Sequence, residues 1–229
     1  MSASNERVAI VAGAGGELGR ATAEKLAAAG FTTVGVDRNE EALKELPDGI
    51  RREAADPADP AAARTVVDRI AAEVGPPEVL VNTIGTYHLG EALTVTPEDL
   101  RLMIDVNVGA ALWLTQAVVP YLRERGSSSI VHVAARPGLE PAAGMATYAV
   151  SKAALVYLTR VLDLELRPLG IRVNAVASAL IVNARNRPYL PPDLLAHATA
   201  PGAVADIIVY LVSDAAAPVS GAVVPAYGA

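Results

Sequence analysis

Short apolar segments of strand type recur along the chain, each separated from the next by a longer stretch of helical character. They are rich in Val, Ile and Ala and lie at residues 8–12, 32–36, 79–82, 130–133 and 171–176. An uninterrupted apolar strand is typical of a parallel sheet that is covered on both faces. Alternation of such strands with helices predicts a doubly wound α/β fold of three layers, with about seven strands. A last short strand at 222–225 is expected to close one edge.

Composition extends this prediction to the whole chain. The sequence has 229 residues, 52% of them hydrophobic, but only one Phe and one Trp. A core must therefore be built from Ala, Val, Leu and Ile, and a chain of this length can bury one large core. No internal repeat and no break in composition divides it, so we expect one domain over residues 1–229.

A glycine-rich turn directly follows the first apolar segment. Gly13, Gly16 and Gly19 are spaced at intervals of three, Leu18 precedes the last of them, and a helix-forming segment begins at residue 20. A strand, such a turn and a helix N-terminus predict a phosphate site, because backbone N–H groups and the helix dipole converge on the anion. The turn alone also fits an ordinary strand-to-helix connection.

The second apolar segment is followed by an acidic residue, Asp37, eighteen residues after Gly19. A carboxylate in this position typically accepts hydrogen bonds from the ribose 2′-hydroxyl of an adenosine, and it would repel a 2′-phosphate. The site therefore favours NAD(H). Arg38 leaves NADP(H) possible, because its charge would offset that repulsion.

Tyr148 and Lys152 are four residues apart in a helical segment, which places a phenol and an ammonium on one face. A phenol has a pKa of about 10 in water, so it exchanges a proton near neutral pH only where a cation stabilises the phenolate. A lysine one turn away predicts such a pair. A solvated helix face would show the same spacing.

With these motifs in order, the chain resembles the short-chain dehydrogenase/reductase family over nearly its whole length. The stretch at 82–85, Asn-Thr-Ile-Gly, is similar to the family's Asn-Asn-Ala-Gly, and the stretch at 105–109, Asp-Val-Asn-Val-Gly, to its helical asparagine motif. The resemblance implies a Rossmann-type fold, a nicotinamide cofactor and a small-molecule substrate. It also implies that Tyr148, Lys152 and Asn107 are catalytic, with Asn107 holding a water beside Lys152 on a proton path from Tyr148 to solvent.

The resemblance assigns further residues to the cofactor. Contacts are implied for Gly13, Gly16, Leu18, Gly19, Asp37, Arg38, Asp56, Asn82, Gly85, Tyr148, Lys152 and Asn183. Asp56 also fits an ordinary exposed loop aspartate. The loop at about 179–200 would close over the nicotinamide. The helical segments 102–125 and 147–168 are apolar around most of their circumference, which implies pairing in a dimer or tetramer, or burial within a monomer.

One departure from the family pattern concerns the substrate. The family's serine, thirteen residues before the tyrosine, is replaced by Ala135. Losing one hydrogen-bond donor to a developing oxyanion typically costs about 2.7–4 kcal/mol. Either the reaction is weakened or another polar group reaches the pocket around Ala135. The candidates are Tyr87, His88 and Arg136. In the loop at 179–200, Arg185 or Arg187 could hold an anionic or polar edge of the substrate. Each of these residues also fits an ordinary exposed loop residue.

Other departures concern the cofactor. Ala12 replaces the usual threonine before the first glycine, Glu17 replaces the usual middle glycine, and Ser178-Ala179 replaces the Pro-Gly expected after the strand at 171–176. A carboxylate near a pyrophosphate is unfavourable. Glu17 therefore opposes cofactor binding unless its side chain turns outward.

Charge and composition exclude several other classes. The net charge is −6 without a basic block, which gives no footprint for nucleic acid or an anionic membrane. We find no apolar run of about 18 residues that would span a bilayer, and residues 1–7 lack the apolar stretch of a signal peptide, so a cytoplasmic location is expected. The absence of cysteine excludes thiol catalysis, disulfides and Cys-based zinc sites. Histidines 88, 132 and 197 show no metal-ligand spacing, and His132 fits a core position.

Three hypotheses follow. In the first, the protein is an NAD(P)(H)-dependent oxidoreductase that interconverts a ketone and a secondary alcohol by hydride transfer, with Tyr148 as proton donor or acceptor. In the second, which Ala135 prompts, it is a non-redox protein of the same fold: a cyclase, isomerase, dehydratase or cofactor-binding regulatory protein. In the third, it is a structural subunit paired with an active homologue.

Overall fold

The computed structural model describes residues 7–182, 186–192, 195 and 198–228. Seven strands form one parallel sheet in the order β3-β2-β1-β4-β5-β6-β7. The strands are β1 Val8–Ala12, β2 Thr32–Asp37, β3 Arg51–Ala54, β4 Pro77–Asn82, β5 Ser128–Ala135, β6 Ile171–Ser178 and β7 Val223–Ala226. The strand order reverses between β1 and β4, which opens a crevice at their carboxyl ends. The predicted doubly wound fold is confirmed.

Helices cover both faces of the sheet. They are α1 Glu17–Ala28, α2 Glu40–Leu43, α3 Pro60–Glu73, α4 Pro97–Ile104, α5 Ala110–Leu122, α6 Ala146–Leu166 and α7 Pro201–Val212. Helices α4 and α5 are joined by a π-helical turn, Asp105–Gly109. Side chains of α3, α5 and α6 pack on one face, and side chains of α1 and α7 pack on the other.

The unbroken apolar character of the central strands has a direct cause in this layering. Ile10 and Ile130 belong to the core beneath α3 and α5, whereas their neighbours Val11 and Val131 belong to the core beneath α1 and α7. Because successive residues of a strand point to opposite faces, a strand covered on both sides must be apolar at every position.

The sequence pattern missed β3 and underestimated the lengths of β2, β4, β5 and β6. Strand β3 lies at the edge of the sheet, and of its four residues only Glu53 is buried, where it pairs with Arg51 and Arg69. A polar edge strand carries no apolar run, so periodicity does not reveal it. Strands β5 and β6 both extend two residues beyond the predicted ends, to Ala135 and Ser178.

The sequence predicts no segment that could span a bilayer, but one helical span is long and apolar enough to do so. By length and a mean hydropathy of 1.5, the continuous span Pro97–Leu122 could cross a bilayer. Its apolar residues Leu114 and Val118 are fully buried against the sheet. The span therefore packs as a core helix in this fold.

His132 is a polar residue in the middle of the sheet. It lies on β5, is fully buried, and neither ring nitrogen has a hydrogen-bond partner within the described residues. Burial, and secondarily the charge of Lys152, lowers the pKa of His132 to about 4. The imidazole is therefore neutral at physiological pH, in agreement with its predicted core position.

This burial makes folding stability depend on pH. An unfolded chain binds a proton at His132 near pH 6.5, whereas the folded chain binds it only near pH 4, so this residue should remove about 3 kcal/mol of stability between those values. We expect His132→Gln to remove this part of the acid sensitivity, and His88→Gln to retain it. Urea unfolding at pH 7 and pH 4.5 measures both effects. Equal acid sensitivity in the wild type and His132→Gln would refute the assignment.

Candidate active site

Lys152 lies where α6 crosses the carboxyl end of β5. Its side chain is buried, and its Nζ donates a hydrogen bond of 2.9 Å to the backbone carbonyl of Val133. Burial lowers the pKa of Lys152 to about 8. The ammonium can therefore release a proton close to neutral pH.

Asn107 lies within the π-helical turn between α4 and α5 and is fully buried. Its Oδ1 accepts a hydrogen bond from the backbone N–H of Thr86 at 2.8 Å, and its Nδ2 donates to the Thr86 carbonyl and to Ser151 Oγ, both at 2.9 Å. A π-helical turn is a local departure from α-helical geometry that is frequent at functional sites. Here the turn contributes the amide that joins α6 to the segment after β4.

Gly85 brings these groups together. A Cβ atom at this position would lie 3.1 Å from both Asn107 Oδ1 and Lys152 Nζ. A side chain here would therefore force one of these polar groups to move. Asn82 ends β4 and holds the segment that leads to Gly85, because its Oδ1 accepts a hydrogen bond of 3.0 Å from the backbone N–H of Ile84.

Tyr148 lies one turn before Lys152 on α6, and its side chain is half-buried. Its backbone carbonyl accepts a hydrogen bond of 2.8 Å from Ser151 Oγ, so Ser151 links the tyrosine to Asn107. Sequence reasoning missed Ser151, although its position immediately before Lys152 placed it in the same helical turn. Burial raises the pKa of Tyr148 to about 12. Burial is the cause of this shift, and the phenol is protonated at neutral pH.

The glycine-rich turn between β1 and α1 is built for close backbone contact. Gly13 adopts a φ of +84°, a conformation that favours glycine. A Cβ at Gly19 would lie 2.1 Å from the Gly13 carbonyl oxygen. Helix α1 begins after Gly16, which provides no side-chain cap, so the N-terminus of α1 has the uncapped form that is typical of an anion site. The turn fits a pyrophosphate. Glu17 occupies the first turn of α1, and Leu18 packs against the apolar core.

The end of this crevice next to β2 carries two carboxylates, Asp37 and Asp56. Asp37 ends β2, and its carboxylate accepts hydrogen bonds from the backbone N–H groups of Gly15 at 3.0 Å and Asn39 at 2.9 Å. Arg38 is exposed, and its guanidinium lies 3.8 Å from the carboxylate of Asp56. The structure therefore brings Asp37, Arg38 and Asp56 to the same sheet edge.

The candidate pocket residues divide into different environments. Ala135 ends β5 and is buried. The side chain of Tyr87 is 68% exposed, and the Nδ1 of His88 lies 3.6 Å from the Asp99 carboxylate. Arg136 donates to Glu140 at 2.7 Å and lies over the ring of Tyr227, 5.0 Å from its centroid. Asn183 and Arg185 lie outside the described residues.

The sheet register adds one residue to this set. Ser178 ends β6 and pairs directly with Ala135. In the sequence, Ser178 stands out only as a departure from the family pattern, and no sequence signal places it beside Ala135.

Comparisons with known proteins agree with this architecture. Residues 7–191 match the family model described as short chain dehydrogenase. The chain is 30% identical to the 4-formylbenzenesulfonate dehydrogenase of Comamonas testosteroni over 95% of its length and 94% of that protein's. It is also 30% identical to the 3-oxoacyl-[acyl-carrier-protein] reductase of Thermotoga maritima, covering 95% of each chain.

A solved structure shares the whole fold. The crystal structure of a putative short-chain dehydrogenase/reductase from Burkholderia xenovorans superimposes with a TM-score of 0.91 at 24% identity, covering 97% of this chain and 95% of that one. The family-model match extends through the glycine turn, the asparagine turn and the Tyr148/Lys152 helix. The chain therefore belongs to the short-chain dehydrogenase/reductase family.

Proposed function

We propose that this protein is an NAD(H)-preferring oxidoreductase that interconverts a ketone and a secondary alcohol, with Tyr148 exchanging the proton. The observation that carries the proposal is the linked arrangement of Tyr148, Ser151, Asn107 and Lys152 at the carboxyl end of the sheet. The named activities of the similar proteins, a dehydrogenase and a 3-oxoacyl reductase, belong to the same reaction class. The family generally binds NAD(P)(H).

Tyr148 acts as the acid in the reducing direction. The cofactor, when bound, supplies the hydride for the substrate carbon. The protonated phenol of Tyr148, whose pKa is raised to about 12 by burial, can donate a proton to the carbonyl oxygen as negative charge develops there. In the oxidising direction, the phenol must first lose its proton, which a nearby cation favours by stabilising the phenolate.

Lys152 supplies that cation and replaces the transferred proton. Because burial lowers its pKa to about 8, Lys152 can lose and regain a proton near neutral pH. The Val133 carbonyl holds its Nζ on the α6 side of β5. The Asn107 amide is fixed by hydrogen bonds with Thr86 and Ser151, and its oxygen lies beside Gly85, as does Lys152 Nζ.

The glycine turn would hold the pyrophosphate, and Asp37 would accept hydrogen bonds from the adenosine ribose. This carboxylate disfavours a 2′-phosphate, and the ion pair with Asp56 reduces the ability of Arg38 to attract one. These two features support the preference for NAD(H).

Replacing Tyr148 with Phe tests the acid role. We expect Tyr148→Phe to reduce kcat about 100- to 10,000-fold, because it removes the proton donor, while NADH binding is retained. The control Tyr210→Phe changes a hydroxyl on α7 and should keep full activity. Stopped-flow oxidation of NADH with a panel of ketones gives kcat, and fluorescence titration gives the NADH affinity. Full turnover by Tyr148→Phe would exclude the proposed role.

Replacing Asp37 with Asn tests the cofactor preference. This change keeps an oxygen acceptor for Gly15 and removes the charge that repels a 2′-phosphate. We expect the ratio of NADPH to NADH affinity to rise on the order of tenfold. The control Asp48→Asn removes a charge from an exposed side chain and should leave the ratio unchanged. An unaltered ratio in Asp37→Asn would show that this carboxylate does not set the preference.

A second candidate function is favoured by Ala135. A protein that has lost the family's substrate-binding hydroxyl could use the protonated Tyr148 as an acid for isomerisation, cyclisation or elimination. NADH consumption discriminates the two proposals, because only the redox reaction changes the cofactor. Binding of NADH without any carbonyl-dependent oxidation would favour the non-redox reading.

We also propose that the protein forms a homodimer or homotetramer through α6. Val150, Tyr157 and Leu164 recur at intervals of seven residues on this helix, and their side chains are 56%, 70% and 71% exposed. A continuous apolar stripe on the surface is typical of an interface. Leu100 and Leu102 extend exposed apolar surface onto α4.

Replacing Leu164 with Glu tests this interface. A buried, unpaired carboxylate would oppose association, so we expect Leu164→Glu to reduce the assembly to smaller species. Leu93→Glu is the matched control, because Leu93 is almost fully exposed away from the stripe. Sedimentation velocity at equal concentrations measures the mass of each variant. Identical masses for Leu164→Glu and the wild type would exclude this face.

A further inference from the structure

Strands β5 and β6 end side by side at the candidate active site. Eight consecutive residue pairs join the two strands, and the last pair is Ala135 with Ser178. The next strand continues this row, because Ser178 also pairs with Ala226 at the end of β7. The carboxyl edge of the sheet therefore carries one hydroxyl between two alanines.

The Ser178 hydroxyl lies on the face of the sheet to which a serine at position 135 would point. Side chains of directly paired residues in neighbouring strands share a face, and such strands are about 4.7–4.9 Å apart. A serine at position 135 would point to the face on which Ser178 now stands. Ser178 thus places a donor one strand away from the position that the family pattern assigns to its serine.

Ser178 has the properties of a donor that serves a ligand. It is only 5% exposed, and within the described part of the chain its hydroxyl has no hydrogen-bond partner. Both neighbours in the row, Ala135 and Ala226, are alanines, so no larger side chain covers the hydroxyl from within the row. A sparsely hydrated hydroxyl without a partner gains free energy when a carbonyl oxygen arrives.

The same strand end lies against the proton-transfer residues. Lys152 Nζ donates to the carbonyl of Val133, two residues before Ala135. A Cβ at Gly138, three residues after Ala135, would lie 2.6 Å from the backbone carbonyl carbon of Lys152. The chain from 133 to 138 therefore runs along the first turns of α6, which brings the end of β5 at Ala135 close to the turn that carries Tyr148.

None of the other polar candidates in the described residues lies in this row of strand ends. Arg136 is held by Glu140 and by the ring of Tyr227. His88 faces Asp99, and Tyr87 is largely exposed. Ser178 is the hydroxyl that the register places next to Ala135.

We propose that Ser178 donates a hydrogen bond to the carbonyl oxygen of the substrate and so replaces the hydroxyl lost at Ala135. This inference rests on the proposed oxidoreductase function and adds a catalytic residue to it. The proton still comes from Tyr148. The Ser178 hydroxyl remains protonated and stabilises the negative charge that develops on the oxygen.

Four variants test this role: Ser178→Ala, Ser178→Thr, Ala135→Ser and the double variant Ser178→Ala/Ala135→Ser. Turnover of a ketone panel with NADH gives kcat/KM, and NADH fluorescence gives cofactor affinity. A third readout is independent of turnover: binding of isobutyramide, an unreactive carbonyl analogue, to the enzyme–NADH complex. Ser213→Ala is the matched control, because Ser213 lies near the start of β6, at the opposite edge of the sheet.

If Ser178 contacts the substrate, Ser178→Ala should lose roughly 100- to 1,000-fold in kcat/KM. Its isobutyramide affinity should fall about 2- to 10-fold, while NADH affinity stays unchanged. Ser178→Thr, which keeps a hydroxyl, should retain most activity. The double variant should recover activity, because the serine at 135 restores a donor at the neighbouring position. A merely structural role for Ser178 would not be rescued in this way.

Other outcomes separate the two proposals. Unchanged kcat/KM in Ser178→Ala, or a loss that Ala135→Ser does not rescue, overturns the Ser178 role and leaves the oxidoreductase function intact. Weakened NADH binding in Ser178→Ala also overturns it, because the hydroxyl then serves the cofactor. Absence of NADH and NADPH binding in the wild type overturns the proposed function itself, and the Ser178 role with it.

Discussion

The candidate site depends on one buried hydrogen bond, from Lys152 Nζ to the carbonyl of Val133. A lysine buried at the end of an apolar sheet is strongly disfavoured unless its charge is relieved or its donors are paired. This fold does both, since the carbonyl accepts a hydrogen bond and the pKa falls to about 8. The bond also sets how closely α6 approaches β5. The absence of side chains at Gly85 and Gly138 follows from that approach, because a Cβ at either position would collide with Lys152.

Around this bond, opposite effects of burial act on two groups of one helix. Burial raises the pKa of the Tyr148 phenol and lowers the pKa of the Lys152 ammonium, because in both cases the neutral form is favoured. The site therefore holds a phenol that keeps its proton and an amine that releases one close to neutral pH. Hydrogen bonds at both Oδ1 and Nδ2 fix the Asn107 amide close to this pair. These are the properties that the proposed carbonyl reduction requires.

The proposed role of Ser178 rests on a general property of parallel sheets. Residues that pair across parallel strands share a face and a level, so a donor can be moved to the neighbouring strand with a displacement of about 5 Å. Ser178 occupies that neighbouring position. In the same region Arg136, which directly follows Ala135 in the chain, is held by Glu140 and Tyr227 instead. Ser178, which neighbours Ala135 across the sheet, is therefore the proposed donor, whereas Arg136, which neighbours it along the chain, is held by other side chains.

The sequence by itself determined the parallel sheet, because strands buried on both faces must be apolar throughout, and it determined the local motifs, because turn and helix contacts join residues close in the chain. Gly13, Gly19 and the Tyr148/Lys152 pair are of this kind. The polar edge strand β3 escaped detection, since an edge needs no apolar run. The pairing of Ala135 with Ser178 and the burial that raises the pKa of Tyr148 were decided only by the tertiary structure. Both depend on register and packing between segments that are distant in the chain.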